Sequence, residues 1–199
     1  AIAESWNGSA WTEVGDLNNG RKQLSGAGAN NTAALAIGGR IDEPRVANVE
    51  TWNGSSWTEV SDLNTARGSL AGSGTSTLAL AIGGDAPPAV ANVESWNGSS
   101  FTEVTDLNTA REDLAASKQD AVSTLAFGGA SPVRALTEDW NGASWSEVAD
   151  LNTARDLLAG AGAAGNTAAL AFGGETSPGV SNLTEDWSGS STATKVLTD

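Results

Sequence analysis

Histidine, cysteine, methionine and tyrosine are all missing from this 199-residue sequence. The absence of cysteine excludes a disulfide framework and thiolate metal sites, and leaves the redox compartment unreadable. Without His, Cys and Tyr, a nucleophile, its base and an orienting group would have to come from carboxylates, Ser, Thr and Lys alone. We therefore expect no enzymatic activity and no cofactor. Basic residues are scarce, 10 against 24 acidic ones, for a net charge of −14. Such a chain repels phosphate backbones and anionic headgroups, so no nucleic-acid partner is expected. The apolar runs 33–37 and 78–82 are too short to span a bilayer, so no membrane insertion is expected either. The chain starts at Ala1, which reads as the start of an excerpt or a processed product.

What is abundant is glycine, 24 residues, together with Ala, Ser and Thr, which favours short strands and turns over long helices. The glycines are periodic. Gly-Gly pairs begin at Gly38, Gly83, Gly128 and Gly173, a constant step of 45 residues, and tryptophan recurs at Trp6, Trp52, Trp96, Trp140 and Trp187. Each unit holds four strand-sized pieces. The first is small and Gly-rich, as in Leu70 to Thr75, and the second alternates Leu78, Leu80 and Ile82 with alanines, the period of a strand. The third ends in Trp-Asn-Gly and the fourth opens with an aromatic followed by Thr-Glu-Val or Ser-Glu-Val. Asn-Gly there marks a tight hairpin turn. Four short strands per unit predict a single all-β domain, a small β-propeller. Its blades run over about 18–63, 64–107, 108–151 and 152–199, after an initial half-unit at 1–17. Four blades are expected, the half-unit then being a surplus hairpin; a fifth blade lacking its two inner strands also fits. The last segment, with Ala193 near the place of the second aromatic, reads as a terminal capping repeat.

These residues resemble the kelch family. The pattern is a hydrophobic strand ending in Gly-Gly, the pairs Trp6/Trp11, Trp52/Trp57, Trp96/Phe101 and Trp140/Trp145, and Arg21, Arg67, Arg111 and Arg155 before the inner strands. The chain departs from that family in having Trp at the first aromatic, a closer aromatic spacing and compact blades. The resemblance implies a propeller of four-stranded blades. The copper chemistry of kelch-like alcohol oxidases needs Tyr, His and Cys, which are absent here. The Trp-Asn-Gly-Ser-Ser-Trp-Thr-Glu-Val phrase is also similar to kelch-like repeat proteins of tailed bacteriophages from aquatic bacteria, which implies an extracellular or virion-associated setting.

Candidate chemistry divides into repeated and variable residues. Glu13, Glu59, Glu103 and Glu147 recur once per unit and could serve paired-carboxylate chemistry, but catalytic sites are asymmetric and scaffold features repeat. Asp62, Asp42 and Glu43 are hard oxygen ligands, yet no Asp-x-Asp-x-Asp-Gly loop is present and no metal is expected. In the repeated Asp-Leu-Asn-Thr-Ala-Arg segment, Asp and Asn are expected to bond turn backbone while Arg pairs with a neighbouring blade. The tryptophans read as core packing, with sugar stacking between blades as the alternative. Sequons at Asn7, Asn53 and Asn97 are explained by hairpin geometry. Variation gathers in proline-containing loops at 40–48, 85–92, 130–136 and 175–182, where Asp42, Arg45, Asp85 and Arg134 are the candidate ligand contacts. Two functions remain open: a module binding a glycan or protein partner, and a structural module of an assembly. Self-association through the terminal half-unit is compatible with both.

Overall fold

A computed structural model describes residues 2–117, 121–162, 166–177 and 179–189, and the backbone of 195–197. The chain is all-β, with four antiparallel four-stranded sheets in a four-blade β-propeller arrangement. Blade 1 comprises β3 (Ser25–Asn30), β4 (Ala33–Ile37), β5 (Val49–Trp52) and β6 (Trp57–Glu59). Blade 2 follows with β7 (Ala71–Gly74), β8 (Ala79–Ile82), β9 (Val93–Trp96) and β10 (Phe101–Glu103). Blade 3 is β11 (Ala115–Ala116), β12 (Thr124–Phe127), β13 (Thr137–Trp140) and β14 (Trp145–Glu147). In blade 4, β15 (Ala159–Gly162) and β16 (Ala169–Phe172) pair with β19 (Thr184–Trp187) and β20 (Lys195–Leu197); a small hairpin, β17 (Glu175–Thr176) and β18 (Gly179–Val180), sits in the intervening loop. The half-unit forms a separate hairpin, β1 (Glu4–Trp6) and β2 (Trp11–Glu13). Ala193 lies outside the described residues.

Strand order follows chain order within each blade, as short turns between successive strands require. The outer hairpin is wider than a two-residue turn. Trp6 pairs with Trp11 and Trp52 with Trp57, leaving four loop residues between them. Only the glycine has positive φ, +94° at Gly54, while the Asn53 side-chain oxygen accepts from the amides of Ser55 and Ser56 at 2.9 and 3.0 Å. The asparagine is there for its acceptor, which closes an Asx-type loop.

Blades pack in series through unlike faces. Leu35 and Ile37 of blade 1 meet Ala79, Ala81, Trp96 and Phe101 of blade 2, and Leu80 and Ile82 meet Ala126, Trp140 and Trp145 of blade 3. Leu125 and Phe127 then meet Ala169, Ala171 and Trp187 of blade 4. Small residues on the inner strands permit the close approach. A Cβ on Gly72 would stand 2.8 Å from the Gly26 carbonyl, and one on Gly160 2.4 Å from that of Ala116. The Gly-Gly pairs add a backbone link: the amides of Gly39, Gly84 and Gly129 donate to the carbonyls of Arg67, Arg111 and Arg155 in the next blade, at 2.9, 3.0 and 3.0 Å.

The ends of this series differ from its middle. Leu80, Ile82, Leu125 and Phe127 are sealed, whereas their counterparts Leu170 and Phe172 are 37% and 39% exposed. On blade 1, the face carrying Gly26, Gly28 and Ala34 is open.

Candidate functional site

In each blade the loop between the second and third strands starts beside the residue following the repeated arginine. Lys22 bridges Arg40, Gly68 bridges Asp85, Glu112 bridges Ala130 and Asp156 bridges Glu175. This places the variable loops and the next residues in sequence, Gln23, Ser69, Asp113 and Leu157, at one end of the propeller. Those four share a left-handed backbone, with φ of +55°, +52°, +53° and +51°. A non-glycine residue there costs roughly 1–2 kcal/mol, so the surroundings must impose it. They do so through a backbone spiral: Ser69 donates to the Gln23 carbonyl, Asp113 to Ser69 and Leu157 to Asp113, each at 2.9 Å. These four residues, which carry an amide, a hydroxyl, a carboxyl and an aliphatic side chain, line an open cavity of about 230 Å³ together with Leu24, Leu70, Leu114 and Leu158. Burial pushes the Asp113 carboxyl above its usual range; the Ser69 hydrogen bond opposes this, and Glu112, Asp156 and Asp85 add to it.

The residues singled out from the sequence fall partly at this end. Arg45 and Asp85 come together across blades 1 and 2: Arg45 Nε donates to Asp85 at 3.0 Å, Nη2 contacts the same oxygen, and Nη1 donates to Glu43 at 2.8 Å. The Asp85 hydrogen bond, set against desolvation and joined by the charges of Asp85 and Glu43, raises the Arg45 pKa above its already high value. Asp42 is exposed and 3.5 Å from the Lys22 ammonium. Arg134 is apart from these, and among the described residues its guanidinium donates to the Ser131 carbonyl, at 3.5 Å. Glu59 and Glu103 lie on outer strands of different blades, each accepting from an asparagine, Asn48 and Asn92. Among the described residues, no group of three or more acidic side chains is arranged to hold a metal ion.

The repeated arginines pair within their own blades, which corrects the expectation of a neighbouring-blade partner. Arg67 binds Glu94 at 2.8 Å, Arg111 lies 3.1 Å from Glu138, Arg155 is 2.8 Å from Glu185, and Arg21 pairs with Glu50. The asparagine of the same motif also serves this glutamate and not the turn: Asn64 donates to Glu94 from its amide at 2.7 Å and its side chain at 2.8 Å. Asn18, Asn108 and Asn152 do the same for Glu50, Glu138 and Glu185. The aspartate does bond backbone, but on the third strand of its blade, Asp106 accepting from Val93 and Asp150 from Thr137. Burial lowers the pKa of Arg67 and Arg111, with Glu94 and Glu138 opposing. The motif is thus a buried pin holding inner strands to outer ones.

The aromatic pairs inside the array are core. Trp96 and Phe101 pack as tilted rings with centroids 4.9 Å apart and Trp140 and Trp145 at 5.2 Å, with the Trp96 and Trp140 indole N–H groups bound to the Ser76 and Ala121 carbonyls. Trp6 and Trp11, 44% and 64% exposed, are the outlying pair. Gln23, Ser69, Asp113 and Leu157 were missed by sequence reasoning, although a signal existed: each is the second residue after a repeated arginine, in the stretch where the constant motif has turned variable. No family model matches the chain and no curated protein is significantly similar to it.

Proposed function

We propose that this chain is a non-enzymatic, kelch-like binding module whose ligand sits on the loop end of the propeller, at the axial cavity. One observation carries the reading: Gln23, Ser69, Asp113 and Leu157 occupy one repeated backbone position with four different chemistries, and all four line one cavity. Scaffold positions in the same motif do not vary in this way. An amide, a hydroxyl and a carboxyl above an apolar floor suit the hydroxyl groups and ring faces of a sugar, which supports a surface glycan as ligand and a phage-like surface protein as context. The test is titration of envelope polysaccharides and a glycan panel into the chain by calorimetry, alongside Asp113→Asn and a variant with loop 85–92 replaced. Saturable binding weakened in both variants supports the reading; binding indifferent to both places the ligand elsewhere.

A second reading, a structural module of a virion or other assembly, is favoured by the bare sheet faces of blades 1 and 4. The terminal half-unit is where we place association with another polypeptide. An absence of binding across the panel favours this reading.

A further inference from the structure

In each of the four blades, the glutamate two residues before the repeated tryptophan is the receptor for one arginine. The sequence holds five such glutamates, Glu4, Glu50, Glu94, Glu138 and Glu185, but only four motif arginines, Arg21, Arg67, Arg111 and Arg155. All four arginines are committed to Glu50, Glu94, Glu138 and Glu185. The Glu4 side chain is exposed and has no hydrogen bond or ion pair among the described residues, although the backbone pairs with Glu13.

The hairpin bearing Glu4 is otherwise built like the outer half of a blade. Its Val14 amide donates to the Ala3 carbonyl as Val104 donates to Val93, and Asp16 accepts from the Ala3 amide as Asp106 does from Val93. It is seated on blade 1 through Asn31, whose side chain donates to Ser5 and to the Trp6 carbonyl. The edge of β1 that would pair with a second strand is bare among the described residues. Among the described residues, three further groups lack what their counterparts have. Leu170 and Phe172 have no Ala-x-Ala face against them. The open face of blade 1, at Gly26, Gly28, Ala34 and Trp57, has no Leu-x-Ile face. The Gly174 amide has no arginine carbonyl, unlike those of Gly39, Gly84 and Gly129.

We propose that β1 and Glu4 form a docking site for an inner half-unit of this chain's own sequence type, supplied by a segment outside these 199 residues. The incoming segment consists of Asn-x-x-Arg, a small-residue strand and an Ala-Leu-Ala-Ile/Phe-Gly-Gly strand. It pairs with β1 by strand addition and completes a fifth blade. Its arginine and asparagine fill Glu4, its arginine carbonyl matches Gly174, its alanines match Leu170 and Phe172, and its Leu-x-Ile face matches blade 1. One segment therefore meets every unmet group. A second copy does not, because it brings five glutamates and four arginines of its own.

The inference is independent of the axial site and is tested with the whole chain and a synthetic peptide of residues 62–84, which contains no tryptophan. Saturable one-to-one binding is expected, with a blue shift in tryptophan emission as Trp6 and Trp11 are covered. Losing a charge-assisted hydrogen bond of about 1.5–3 kcal/mol predicts roughly tenfold or more weakening by Glu4→Gln in the protein, and the same by Arg67→Ala in the peptide. Register is read by cross-linking in a chain that has no native cysteine. Leu80 pairs with Ser95 in blade 2, so protein Ser5→Cys is expected to trap peptide Leu80→Cys and not peptide Ala81→Cys. The proposal is overturned by absence of saturable binding, by binding unchanged in both charge variants, or by a chain that dimerises and shows the same blue shift with no peptide present.

Discussion

Replacing Arg67 with methionine tests the buried pin directly. Arg67 and Glu94 side chains are 0% and 1% exposed, so the variant strands a carboxylate out of reach of water. Glu94 keeps its two Asn64 bonds, at 2.7 and 2.8 Å, and loses the guanidinium at 2.8 Å. Breaking one side of such a pair costs about 3–5 kcal/mol. At about 2–4 °C per kcal/mol for a domain of this size, the melting temperature falls by about 6–20 °C. The double variant Arg67→Met/Glu94→Gln removes both charges while leaving an oxygen for Asn64, and is expected to recover more than half of the loss. Thermal unfolding by circular dichroism and calorimetry at neutral pH measures both. A single variant costing less than about 1 kcal/mol, or a double variant no better than the single, would show that the ion pair is not what holds inner and outer strands together.

Gly83→Ala places a side chain at φ +59° with its Cβ 2.7 Å from the Arg111 carbonyl; a loss of about 1–3 kcal/mol is expected in urea unfolding. Trp96→Ala is expected to cost about 3–5 kcal/mol and Trp6→Ala less than about 1 kcal/mol in the same assay, since one ring is sealed and the other is not. Burial alone would raise the Glu50 pKa, but hydrogen bonds from Arg21 and Asn18 outweigh it and the net shift is downward. Its stabilising share is therefore full above about pH 5 and lost as pH falls through the folded value, so the advantage of wild type over Glu50→Gln shrinks on acidification. Asp113 has the opposite sign: its raised value gives a share present below about pH 3.9 and lost as pH rises through the folded value, so Asp113→Asn gains on wild type as pH rises, read from urea midpoints.

Much of the architecture was legible because it rests on backbone requirements that few residues meet. Gly-Gly at a fixed interval, period-two strands and Asn-Gly loops each constrain the chain locally, and repetition removed chance. The partner of Arg67 was not legible in the same way. Glutamate also repeats, and only the pairing of β8 with β9, Ala81 opposite Glu94, shows which copy an arginine reaches. The axial quartet was harder still, because nothing intrinsic to Gln23 or Leu157 favours positive φ; the inter-blade hydrogen bond imposes it. Trp6 and Trp96 share the same local phrase, yet one is exposed and the other buried, because burial depends on the neighbouring blade and not on the repeat itself.

The way successive blades are joined bears on how such a gene changes. At each of the three junctions the arginine's guanidinium stays in its own blade while its carbonyl receives the amide of the preceding Gly-Gly, so the junctions are chemically alike. Slippage between repeats that removes or duplicates one whole 45-residue stretch recreates a junction already present elsewhere in the chain. Copy number is then a heritable variable, open to recombination and selection, and each change arrives with its stereochemistry already solved.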